Sequence, residues 1–156
     1  MILYNSLRDR LENQQFAIAQ IIRNVSPERM LKRPAANKWN IHDNIAHLAK
    51  YQITFTERLQ FILKNPKSQI ERYVADEDAE FEIFKKMSDD DLINSINDQR
   101  IILSSIIFAL QINDLEKVGI HKKFGALNII QWIEFFVLHE AHHLFTIFKL
   151  SHDVDI

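Results

Sequence analysis

Three histidines stand in an otherwise apolar stretch near the end of the chain, FFVLHEAHHLFTIF, at residues 135–148. An imidazole is costly to bury unless its ring nitrogens find partners. At about 100° per residue, His139 and His143 lie on one helical face, one turn apart, so that both rings can reach the same point. A pair with this spacing can hold a metal ion. Two buried histidines hydrogen-bonded to backbone or hydroxyl groups would give the same pattern, so the pair alone leaves both interpretations open.

A candidate third ligand lies on a separate predicted helix. His47 is followed at helical steps by Tyr51, Thr54 and Arg58, which form a polar stripe on the flank of the apolar face of that helix. His47 on its own would also fit a boundary position at a solvated edge. We expect His142 to lie at the edge of the apolar face of its helix. The other three histidines are expected at the surface: His42, His121 and His152.

Composition excludes several classes of site. The 156 residues include no cysteine, so disulfides, thiolate ligands and a cysteine nucleophile are absent. The net charge of −2 provides no excess positive charge for a nucleic-acid backbone, and we expect no nucleic-acid partner. The N-terminal stretch MILYNSLRDRLENQQ lacks the basic start and long apolar centre of a signal peptide, which predicts a cytoplasmic protein.

The elements that position these histidines are predicted to be helices, since only two glycines and three prolines interrupt the chain. Four long helices are predicted, over residues 3–24, 40–65, 88–110 and 129–150. A short extra turn follows Ser26, and residues 66–87 form a long connection with at most a short helix around 77–86. Residues 114–128, which contain both glycines, are predicted to be a loop, and no strand is predicted. The fold class is therefore an all-α four-helix bundle, with residues 1–156 as one domain.

The last predicted helix is long enough and apolar enough to suggest a membrane span. Gln131, Glu134, Glu140 and the three histidines within it argue against that interpretation. We therefore expect no membrane association.

Two motifs make the family recognisable. KWNIHDNIAHLAKYQITFTERL, residues 38–59, resembles the Trp-Ser-x6-His-Leu helix of the DinB-like superfamily (also DinB/YfiT), with Asn40 in place of the usual Ser or Thr cap. FGALNIIQWIEFFVLHEAHHLFTIF, residues 124–148, resembles the last helix of that family with its His-x-x-x-His motif, and Thr146 stands where Gln is frequent. The resemblance covers most of the chain and implies an up-down-down-up bundle.

The resemblance also implies a metal site. Matched by motif, the three family ligands become His47, His139 and His143, which would hold a divalent metal. Three imidazoles leave coordination positions open for water or a substrate. Zinc, nickel and iron all suit this ligand set.

The reaction is less defined than the site. Relatives include thiol S-transferases that use bacillithiol or mycothiol, a mycothiol-dependent isomerase, and proteins described as metal-dependent hydrolases, so the resemblance implies a metal-activated thiol or water and a small-molecule substrate. Arg58 would receive a substrate carboxylate or form a surface salt bridge, and Tyr51 would orient a ligand or pack. The alternative is a non-enzymatic bundle whose histidines are structural or whose metal site is vestigial.

A second apolar stripe on the last helix predicts a partner for it. This stripe lies opposite the histidine face and consists of Ile130, Ile133, Val137, Ala141, Leu144 and Phe148. Either other segments of the chain cover it, or a second copy does, because two-fold dimers are the commonest assembly. Many DinB-like proteins are homodimers, and the resemblance favours that assembly here.

Overall fold

The structure is a computed structural model that describes residues 3–152. The helices are α1 (Asn5–Asn13), α2 (Ala17–Ile22), α3 (Pro27–Leu31), α4 (Ile41–Lys64), α5 (Ala79–Phe84), α6 (Asp89–Phe108), α7 (Ile112–Leu115) and α8 (Ile129–His152). Short 3₁₀ turns occupy Gln14–Phe16 and Ala75–Glu77. The strands are β1 (Gln69–Ile70), β2 (Val118–His121) and β3 (Gly125–Asn128). The assignment of residues 1–156 to one domain stays a prediction, and residues 1–2 and 153–156 lie outside the described part.

The two long internal helices begin at the predicted caps. The Asn40 side chain accepts a hydrogen bond from the Asp43 amide, and the Asp43 carboxylate accepts one from the Asn40 amide, which forms a capping box. At the start of α6, the Ser88 hydroxyl accepts a hydrogen bond from the Asp91 amide. These bonds satisfy backbone donors that the first helical turn leaves free.

The long helices form the predicted up-down-down-up bundle. Hydrogen bonds between side chains show the relative directions of the helices. Helices α4 and α6 are joined by His42–Asp89 and Gln52–Arg100, and α4 and α8 by Asn44–His143 and Gln52–Glu140. The first helix and α8 are joined by Tyr4–Glu134 and Gln14–Glu140. Residue numbers rise together between α4 and α6 and between the first helix and α8, so each of these pairs is parallel. They run in opposite directions between α4 and α8. The predicted fold class is confirmed, and the connection between α4 and α6 must cross the length of the bundle.

The predicted first helix is not continuous. It consists of α1 and α2, separated by the 3₁₀ turn at Gln14–Phe16. At this turn Gln14 donates a hydrogen bond to the Val137 carbonyl oxygen, and Gln15 is buried. The apolar spacing on either side is nearly helical, which is why the pattern did not reveal the interruption.

The prediction that the chain has no strands was wrong. Strands β2 and β3 form an antiparallel hairpin between α7 and α8, and β1 from the long connection pairs in parallel with β2. Gly125 at the hairpin has φ of 75°, a backbone conformation that favours glycine. The longest of these strands has four residues, too few for an alternating pattern to stand out.

Half of the second apolar stripe of α8 is covered inside the chain, whereas Phe148 is exposed. Ile133 and Val137 are fully buried and Leu144 nearly so, and α8 packs against α1 and α2 on this side. These three residues therefore need no second copy to cover them. Homodimerisation stays a prediction.

Within residues 3–152, none of the helices has both the length and the apolar character that crossing a membrane requires, and this includes α8. The cytoplasmic location stays a prediction.

Candidate metal centre

Helices α4 and α8 bring His47, His139 and His143 together. One ligand nitrogen from each lies within 4.8 Å of the other two. The Nε2 atoms of His47 and His139 are 3.2 Å apart, and the ring centroid of His143 lies 4.5 Å from that of His47 and 4.7 Å from that of His139. Two nitrogens at about 2.0–2.1 Å from one tetrahedral ion would have a similar separation.

The orientation of His143 is fixed by Asn44. The Nδ1–H group of His143 donates to the Asn44 side-chain oxygen at 2.8 Å, since that oxygen can only accept. The Asn44 side-chain nitrogen in turn donates to the Asn40 carbonyl oxygen at 2.7 Å, which identifies the amide orientation. The proton therefore lies on Nδ1, and the Nε2 lone pair of His143 is left free for a cation.

The other two histidines lack such support. The Nδ1 atoms of His47 and His139 are buried and have no hydrogen-bond partner among residues 3–152. Of the three histidines, only His143 therefore has an acceptor that orients its outer ring nitrogen. Without a cation, a proton must lie between the two Nε2 atoms for them to form a hydrogen bond. A cation would take both lone pairs instead, so the donor set fits a divalent metal.

Burial keeps all three imidazoles neutral. Burial, and to a smaller extent repulsion from neighbouring histidines, lowers the pKa of His47 to about 2, that of His139 to about 3 and that of His143 to about 4. At neutral pH the lone pairs are therefore available. Protons do not compete with a metal ion for this site until the solution is strongly acidic.

Aromatic side chains line the centre. Trp39 lies on the loop before α4, with its ring 5.0 Å from that of His47, and its Nε1–H group donates to Asp76 in the long connection. Tyr73 from the same connection stacks on His47, and Phe135 of α8 stacks on His139. These rings limit the approach of water to the three histidines.

The two weaker predicted site residues also lie at this centre. Tyr51 is only 3 % exposed, and its ring packs 4.1 Å from that of His139. Arg58 lies beyond Tyr51 as seen from the histidines. It donates to the Tyr51 hydroxyl at 3.3 Å and to the Glu71 main-chain oxygen at 2.6 Å. Tyr51 is therefore buried and not on a solvated flank of the bundle, whereas Arg58 is partly exposed and contacts the long connection at Glu71.

The remaining histidines divide between surface and interior. His142 and His152 are exposed. His42 was expected at the surface but is half-buried, with hydrogen bonds to Asp89 at 2.6 Å and to the Lys85 carbonyl oxygen. The surface expectation for His121 was also wrong, because the unpredicted hairpin places its ring against Trp132 and Phe135.

Comparison with known proteins identifies the family. The model of the DinB superfamily matches residues 10–147. The chain belongs to the DinB superfamily. A Bacillus subtilis protein described as uncharacterized protein YuaE is 26 % identical over 135 residues, which cover 79 % of this chain and 83 % of YuaE.

A solved structure has the same fold as this DinB-superfamily chain. It is that of YfiT from Bacillus subtilis, described as a probable metal-dependent hydrolase with an unusual four-helix bundle topology. The TM-score is 0.82 at 15 % identity, over 95 % of this chain and 85 % of YfiT. At that identity the likeness shows the fold alone.

Proposed function

We propose that this DinB-superfamily chain binds a divalent cation through His47, His139 and His143 and belongs to the metal-dependent enzymes of the family. The observation that carries the proposal is the convergence of three neutral imidazoles from two helices on one point. A bound zinc, nickel or iron ion would lower the pKa of a water or thiol in an open coordination position and so supply a nucleophile. The aromatic side chains around the site limit the access of bulk water, and Asn44 holds His143 in place.

Asn44 and the aromatic residues around the histidines each have a role in this proposal. Asn44 holds the proton of His143 on Nδ1, so that Nε2 faces the ion. Trp39 and Tyr73 pack on His47, and Tyr51 packs on His139, so these rings would contact a substrate bound at the ion. Hydrolysis, as in the description of YfiT, and thiol S-transfer of the bacillithiol type both begin with such an activated nucleophile.

A non-enzymatic bundle is the second candidate. The hydrogen bond between His47 and His139 and the bond from His143 to Asn44 give some of the buried ring nitrogens a partner without any metal. Under this alternative the three histidines stabilise the contact between α4 and α8, and removal of metal would leave the stability of the protein unchanged.

Metal content separates the two candidates. We expect protein purified without a nickel column to contain one divalent ion per chain by mass spectrometry, or to take one up from zinc, nickel or iron salts. His143→Ala should lose the ion, because it removes a ligand, whereas His142→Ala should retain it, since His142 is exposed. Equal loss in both variants would contradict the ligand assignment. A wild type that binds none of these metals, with a thermal midpoint unaffected by chelator, would favour the non-enzymatic bundle.

A further inference from the structure

Arg58 has unused hydrogen-bonding capacity beside the metal centre. Its guanidinium group carries five N–H donors, and the Tyr51 hydroxyl and the Glu71 main-chain oxygen account for two of them. Its central carbon lies 5.9 Å from the Tyr51 ring centroid, on the residue that packs against His139. Within residues 3–152, Arg58 forms no ion pair with a carboxylate. A fixed positive charge is thus held by neutral partners, one ring away from the candidate metal ligands.

The carboxylate of Glu71, the residue whose main-chain oxygen Arg58 contacts, is engaged elsewhere. The Glu71 side chain pairs with Lys122 at 2.8 Å, while Arg58 contacts only the main-chain oxygen of Glu71. The surroundings of Arg58 therefore favour a negative group.

The β2–β3 hairpin places His121 against Phe135, an aromatic residue beside the metal centre. Its Nδ1 atom accepts hydrogen bonds from the backbone amides of Lys123 and Phe124, at 3.0 and 3.2 Å. In the neutral ring the proton must then lie on Nε2, which becomes a donor. The His121 ring lies 5.3 Å from that of Phe135, which itself stacks on His139. Arg58 and His121 are thus each separated from His139 by one aromatic ring, that of Tyr51 and that of Phe135.

We propose that Arg58 and His121 bind a carboxylate group of the molecule whose other end occupies the open side of the metal centre. The guanidinium group matches a planar carboxylate with paired N–H donors, and the Nε2–H group of His121 adds a further donor. Tyr51 is then a positioning residue that holds Arg58 through its hydroxyl. The inference rests on the proposed function, because the metal centre is what anchors the other end of the ligand.

Two matched thiol pairs test the proposal: 3-mercaptopropionate and 6-mercaptohexanoate, each against its neutral amide. The visible spectrum of cobalt-loaded protein reports thiolate binding to the ion. We expect at least one acid to bind wild-type protein about tenfold more tightly than its amide. Arg58→Gln should abolish this preference at unchanged cobalt content. Arg58→Lys, which keeps the charge but loses the fork, should retain only part of it.

Controls separate a specific site from general charge. Arg72→Gln, which removes an exposed arginine of the connection between α4 and α6, should retain the full preference. His121→Phe, which keeps an aromatic ring against Phe135, should lower it without loss of cobalt. Equal affinity for acid and amide in the wild type, or a preference that survives Arg58→Gln, would overturn the inference.

A metal-free measurement keeps the inference distinct from the proposed function. Addition of either acid to metal-free protein should shift the Nε–H nuclear magnetic resonance of Arg58, and the matching amide should not. Failure to take up cobalt would contradict the proposed function. Cobalt uptake with no Arg58 shift by either acid would contradict the carboxylate site alone.

Discussion

The burial of His47, His139 and His143 destabilises the metal-free protein. Their pKa values fall because burial disfavours the charged imidazole, and the Nδ1 atoms of two of them have no partner among the described residues. The spacing of the histidines and the family resemblance were enough to predict which three would meet. Asn44 was missed, although it lies one helical turn before His47, because an asparagine within a helix has no pattern that marks it as an orienting group.

The pH dependence of stability should show this destabilisation. In metal-free protein the unfolded histidines bind protons below about pH 6.5, whereas the three buried ones do not until far lower pH. The unfolded state then binds more protons, so the free energy of unfolding should decrease from pH 6.5 to pH 5, by up to about 1.4 kcal/mol per pH unit for each histidine. Urea denaturation with a chelator present measures this slope.

A pair of variants assigns that slope to the site. His47→Gln removes one of the titrating groups and should make the slope smaller, whereas His152→Gln, at an exposed position, should leave it unchanged. The wild-type slope alone is not enough, because His42 changes the free energy of unfolding in the opposite direction. Its hydrogen bond to Asp89 raises its pKa and stabilises the folded protein at low pH. Identical slopes in the wild type and His47→Gln would show that His47 is not buried in neutral form.

At the level of elements, capping residues and apolar spacing determine the long helices, and tertiary contacts determine the rest. Asn40 and Ser88 mark the starts of α4 and α6 because their side chains satisfy local backbone donors. The strands have no such local signal, because β1 is separated by more than forty residues from its partner β2. The hairpin is also held from outside the sheet, since the Trp132 indole N–H donates to the Gly119 carbonyl oxygen.

Gly119 should be the least tolerant position of this hairpin. A Cβ atom there would lie 2.6 Å from Ile62 Cδ1 and 2.8 Å from Trp132 Nε1, and both side chains are fully buried, so a shift of either would disturb the core. Gly119→Ala should therefore lower the free energy of unfolding by about 1–3 kcal/mol. At Gly125 the added Cβ meets no atom within 4 Å, and the positive φ alone should cost about 1 kcal/mol in Gly125→Ala. Urea denaturation compares the two, and an equal or smaller loss at Gly119 would contradict the close packing of β2 on α4 and α8.

On the scale of the whole molecule, one buried ion pair connects the helices of the bundle. Glu140 of α8 is 0 % exposed and Arg100 of α6 is 2 % exposed, and Arg100 donates to Glu140. Gln52 of α4 contacts both, and Arg100 also donates to Gln15 and to the Leu11 carbonyl oxygen of the first helix. In the sequence, Glu140 indicates only that its helix does not span a membrane. The spacing within one helix cannot show that a charge on another helix, forty residues away, will meet it.

This pair should behave as a unit when it is mutated. Glu140→Gln leaves the Arg100 charge buried without its counterion, and Arg100→Gln does the same to Glu140, so each should lower the free energy of unfolding by about 3 kcal/mol. The double variant buries no unpaired charge and should lose at least about 1 kcal/mol less than the sum of the two single losses. Urea denaturation of the four proteins measures this coupling, with the exposed Arg8–Glu12 pair as a control in which the coupling should be close to zero. Additive losses at Arg100 and Glu140 would mean that Gln52 and Gln15 satisfy each charge on their own, and that the ion pair does not hold the four helices together.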